Sequence, residues 1–114
     1  MAGIDQKLVE HWTYEEFLAF ALVYVAELDG QLSSEEIAFV RQRTGLANVR
    51  YYDAIVKDLS DSESMEILAL FKKRYLADTA AEQRVRTDLE AMFRSGHHHQ
   101  QFERVALHLI EKLI

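Results

Sequence analysis

The chain contains no cysteine and no proline, and only four of its 114 residues are glycine. Without cysteine there is no disulfide framework, no thiolate metal site and no cysteine nucleophile. Sandwiches and barrels of short strands need turn residues at regular intervals, so the scarcity of glycine and proline excludes them and leaves helices. The longest apolar run, Phe17 to Ala26, is too short to cross a bilayer, which takes about 20 residues. Acids flank it on both sides, at Glu15, Glu16 and Glu27. No basic segment followed by an apolar one opens the chain, so no signal peptide is expected and the cytoplasm is the default location.

Positive charge is also in short supply. Thirteen Lys and Arg face nineteen Asp and Glu, a net charge of −6. An acidic surface repels phosphate backbones, so nucleic acid is not the expected partner. Between Asp5 and Glu36 lie eight acids (Asp5, Glu10, Glu15, Glu16, Glu27, Asp29, Glu35 and Glu36), opposed only by Lys7. Such a region suits a cation or a basic protein surface, or simply solvent. Hydrophobic residues make up 49%, enough for one ordered core in a chain of single-domain length.

What is present reads as helices. Leu8, Val9 and Trp12 predict a short leading helix. Thr13 with Glu16 forms a capping box, in which the hydroxyl accepts a first-turn N–H and the carboxylate reaches back to the cap. The helix that follows, from about Tyr14 to Leu28, is apolar on nearly all sides, the mark of a central buried rod. Gly30 ends it, and Ser33 with Glu36 starts a second helix running to about Thr44, with Ile37, Val40 and Phe39 as its inner face. Gly45 closes that one and Asn48 caps a third, from about Val49 to Leu59. Ser60 or Asp61 caps a fourth, with Met65, Leu68, Ala69 and Phe71 inward. A break near Asp78, with Thr79 and Glu82 as a third capping box, leads to a fifth helix carrying Val85, Leu89, Met92 and Phe93. Ser95-Gly96 breaks it before a sixth, carrying Phe102, Val105, Ala106, Leu109, Ile110 and Leu113. The expectation is all-α: residues 1–114 as a single-domain bundle of about six helices, neighbours antiparallel across short loops.

The segment with most chemical content is the first corner. Asp29 sits at the C-terminal end of a helix, where the dipole disfavours negative charge by a few tenths of a kcal/mol up to about 1. Amide groups at the start of the next helix, or a cation, would offset that. With Gly30 in the sixth position of a calcium loop, Glu36 falls twelfth and Asp29 fifth, but Val25 falls first and cannot ligate. Asp29 and Glu36 are therefore the candidate metal ligands, for a weak divalent cation rather than a full cage. The other reading is that these residues fasten a helix–turn–helix corner.

At these residues the chain resembles the TerB-like family, helical domains associated with tellurite resistance. The resemblance rests on Ala26, Asp29, Gly30, Ser33 and Glu36, followed by Ile37, Val40 and Gly45-Leu46. Residues 91–96, with Phe102, Glu103 and Val105, resemble a second, degenerate copy in which Ser95 stands where the acid would be. The resemblance implies a single helical domain working in a stress response through protein–protein assembly, with a metal as candidate ligand and no catalytic activity.

Other features point to no reaction. There is no glycine-rich phosphate loop, no Gly-x-Ser-x-Gly elbow and no His-Glu-x-x-His. The adjacent pairs Glu15/Glu16 and Glu35/Glu36 diverge on a helix and make no acid–base couple. His97, His98 and His99 cannot all chelate one ion from a regular helix, since successive side chains point about 100° apart. His11 and His108 read as boundary residues. Lys72, Lys73, Arg74, Arg84 and Arg86 form the one basic neighbourhood, able to dock an acidic partner or a second copy of the chain. The alternative to the stress-response reading is a metal-free acidic regulator or immunity-like inhibitor of a basic protein. A protein partner is expected under both.

Overall fold

The structure, a computed structural model, describes residues 6–28, 32–76 and 78–95. A 3-10 turn, Gln6–Leu8, leads into five α-helices among the described residues: α1 (Tyr14–Leu28), α2 (Ser34–Thr44), α3 (Val49–Asp58), α4 (Asp61–Tyr75) and α5 (Thr79–Ser95). The all-helical expectation is met in that part of the chain. The sixth helix expected from Phe102 onward, the second TerB-like copy beyond Ser95, and His97 to His99 with His108 lie outside the described residues.

The rod read from Phe17 to Ala26 is buried along its whole length. It packs against α2, α3, α4 and α5, so the other helices are arranged around it. A helix apolar on all sides can be stable in water only when covered on all sides. The aromatic residues lock the cover in place. Trp12 sets its ring edge-on to Phe17 at 5.2 Å and to Tyr52 of α3 at 5.6 Å. Phe17 stacks on Phe71 of α4 at 5.5 Å. Edge-on and offset contacts of this kind add about 0.5–1.5 kcal/mol beyond the area they bury.

Three capping boxes form among the described residues. Thr13 and Glu16 exchange bonds of 3.1 and 3.3 Å at the start of α1. Ser33 and Glu36 do so at 2.8 and 3.1 Å before α2, and Ser60 and Glu63 at 3.0 and 3.1 Å before α4. The box expected from Thr79 and Glu82 is replaced: the Asp78 side chain accepts the Ala81 amide at 2.8 Å, so the cap sits one residue earlier. Asn48 occupies the cap position of α3 without a side-chain bond. Gly45 takes φ 74°, a conformation open to glycine at little cost, and returns its N–H to the Arg41 carbonyl.

Inside α4, Ile67 is fully buried and Ala69 is exposed, reversing the expected assignment of Ala69 to the core. Ile67, Leu68 and Phe71 fall at i, i+1 and i+4, and the larger side chain takes the interior. Of the tyrosine pair, Tyr52 is buried and Tyr51 is 45% exposed.

Candidate functional site

The corner between α1 and α2 is where the sequence concentrates its chemistry. Asp29, Gly30 and Gln31 lie outside the described residues, so the structure places one of the two candidate ligands. Glu36 is buried, and its Oε1 accepts the Ser33 amide at 2.8 Å while its own amide donates to the Ser33 hydroxyl at 3.1 Å. That carboxylate begins α2, where the positive end of the dipole favours it.

Among the described residues, Glu27 is an acid that spans the corner. Its Oε1 accepts the Leu32 amide at 2.8 Å, tying the last turn of α1 to the residue just before the α2 cap. Among the described residues, a fastening of this kind is made by Glu27. The other face of Glu27 meets α3. Lys57 bridges Glu27 and Asp53, with Nζ at 3.1 Å from Asp53 Oδ2 and 3.8 Å from Glu27 Oε2. Both carboxylates are largely withdrawn from water, with side-chain exposures of 12% for Glu27 and 10% for Asp53, whereas Lys57 is 60% exposed. Asp53 Oδ1 is buried and receives no donor.

The electrostatics follow from this crowding. Burial holds the Glu27 carboxyl above the usual carboxylate range, and the negative charge of Asp53 pushes it the same way; the Leu32 amide and Lys57 pull against them. The Lys57 ammonium is held above its ordinary value by its bond to Asp53 and by the two negative charges. A cavity of about 180 Å³ opens beside Glu27 and Lys57, lined also by Tyr24, Val56 and Asp61.

Sequence reasoning missed Asp53 and Lys57. Their i, i+4 spacing on α3 is a readable ion pair. That it faces Glu27 is a matter of how α3 packs on α1.

The remaining candidates sort differently. Arg74 Nη1 donates to the Val9 carbonyl at 2.7 Å and its guanidinium covers the Phe17 ring at 5.4 Å. Arg84 lies over Tyr14 at 4.8 Å. Much of the basic neighbourhood therefore serves packing, and Lys72 and Lys73 stay exposed. A second cleft, about 480 Å³, runs between α1, α2 and α5, with Tyr14, Arg84, Arg43 and Asp88 on its walls. In it Arg43 pairs with Asp88 at 3.4 Å. Burial pushes the Asp88 carboxyl up, and Arg43 and Arg84 offset part of that. Among the described residues no three His, Asp or Glu side chains are grouped to hold a metal ion, and no helix is long and apolar enough to cross a membrane.

No protein-family model, curated protein or solved structure matches this chain.

Proposed function

We propose that the chain is a non-enzymatic helical interaction domain of the TerB-like kind, acting in the response to tellurite and related stress through a protein partner. On this reading the acidic α1–α2 corner is its responsive element and takes a divalent cation weakly, with Asp29 and Glu36 as the candidates read from the sequence. One observation carries it: α1 (Tyr14–Leu28) and α2 (Ser34–Thr44), the latter started by the Ser33–Glu36 box, are tied together by the bond from the Leu32 amide to Glu27. A helix–turn–helix at these residues is what the resemblance to TerB-like domains implies. The commitment of Glu36 to the cap reserves its Oε1 for structure, so a cation at this corner needs further oxygens nearby.

The stress-response reading is tested in the source cell. Deleting the gene is expected to lower tolerance to tellurite, and restoring the full chain to recover it. Unchanged tolerance, together with recovery of a basic partner whose hold weakens as salt rises, would replace this reading with the acidic-inhibitor one.

A further inference from the structure

The cleft of about 480 Å³ between α1, α2 and α5 lies in the size range of pockets that take small molecules. Leu18, almost wholly buried, and the Tyr14 ring give it an apolar lining. Its walls carry both signs of charge. Arg43 of α2 and Asp88 of α5 pair with each other at 3.4 Å. The other two charges do not pair. Arg84 of α5 and Glu15 of α1 line the same cleft, and among the described residues neither has an opposite charge at ion-pair distance. Arg84 is nevertheless supported, since its guanidinium lies over the Tyr14 ring at 4.8 Å. A guanidinium resting on an aromatic ring keeps N–H groups for a carboxylate. Gln83 and Thr87 add uncharged donors and acceptors to the same lining.

We propose that this cleft binds a small zwitterion, an α-amino acid with an apolar side chain, its carboxylate on Arg84 and its ammonium facing Glu15. A ligand of one sign would leave one of the two wall charges unanswered and would be repelled by it. A molecule with both signs answers both. The carboxylate belongs on the α5 side, because Ala80 in the cleft lining is part of the first turn of α5, at the positive end of the helix dipole. The apolar side chain lies against Leu18 and the Tyr14 ring. The Arg43–Asp88 pair is kept, so recognition uses only the charges that the fold leaves over. The inference stands apart from the TerB-like reading and from any cation at the α1–α2 corner.

The test is a titration of the full chain with leucine, leucinamide and isocaproate. These probes share nearly one shape and carry both charges, the positive one alone and the negative one alone. The backbone amides of Ala80, Gln83 and Thr87 and the Gln83 side-chain amide are followed by NMR. Leucine should give a saturable shift with a dissociation constant of about 1 mM, and the other two should bind about tenfold more weakly, the ordinary loss for one charged partner. Arg84→Gln should weaken leucine by a similar factor. Glu15→Gln should weaken leucine and leave isocaproate no weaker, because that probe loses a repelling neighbour. Both side chains are exposed, so the two variants should melt as the wild type does. Lys73→Gln, at an exposed base outside the cleft, should change nothing. No saturable shift up to about 20 mM leucine overturns the site. Equal binding of leucine and isocaproate overturns the zwitterion and makes the ligand a plain anion. Undiminished leucine binding in Arg84→Gln places the ligand elsewhere and overturns the proposal as well.

Discussion

Glu16 of α1 accepts a hydrogen bond from the Tyr52 hydroxyl of α3 at 3.2 Å through one carboxylate oxygen while the other closes the Thr13 capping box. One acid thus starts the central helix and holds a neighbour to it. Burial, then the Glu16 charge, push the Tyr52 hydroxyl up to about 12. The folded state holds that proton more tightly than the unfolded chain, whose tyrosine titrates near about 10. The stabilisation is therefore complete below about pH 10 and is lost as pH rises through the folded value. Tyr52→Phe should lower stability by about 1 kcal/mol at neutral pH and flatten the loss above pH 10, measured by denaturant unfolding across pH. Equal slopes in the two proteins would show that another group governs the alkaline limb.

Ser33→Ala removes the hydroxyl that accepts the Glu36 amide and leaves only the other half of the box, the bond from the residue 33 amide to the Glu36 carboxylate. A loss of about 1 kcal/mol is expected, within the usual range for a cap. Ser33→Asp, which keeps an acceptor at the same place, should recover most of it. The melting temperatures of the three proteins provide the comparison.

At the head of α5 two neighbouring residues compete for the same role. The structure gives it to Asp78, whose side chain accepts the Ala81 amide. Asp78→Ala should therefore destabilise by about 1 kcal/mol, and Thr79→Ala by a few tenths at most. The reverse order in unfolding experiments would place the cap on Thr79.

Phe17→Leu and Phe17→Ala probe the centre. The ring is fully buried, stacks on Phe71, and is covered by the Arg74 guanidinium. The alanine variant should lose about 3–5 kcal/mol, and the leucine variant markedly less because it leaves a smaller cavity. In a domain of this size a loss of that order approaches the whole stability, so chemical denaturation of the leucine variant gives the quantitative reading.

Much of the helical order was legible because it is local. A box needs a hydroxyl and a glutamate three residues on, and Thr13–Glu16, Ser33–Glu36 and Ser60–Glu63 carry that signal within one turn. The Thr79 assignment failed for a local reason too. Asp78 and Thr79 are both good caps, and spacing to Glu82 does not say which one leaves the helix. Ala69 was misplaced because periodicity alone gives two overlapping stripes on α4, and the size of Ile67 settles which one turns inward.

The candidate site was half legible. That the first corner holds acids is plain from Glu27, Asp29 and Glu36 in a row of turn-forming residues. That Glu27 fastens it could not be read, because reaching Leu32 depends on how α2 is placed against α1.

By itself the sequence determined an all-helical chain built on one rod buried on every side, since a helix with no polar face has no stable place except inside others. Helix starts followed from side chains reaching their own backbone. Only the tertiary structure decided which acids meet. Asp53 and Lys57 are near neighbours on α3, but Glu27 lies a helix and a half away along the chain. The packing of α3 on α1 set three charges together, and burial, which no local pattern encodes, gave that meeting its energy.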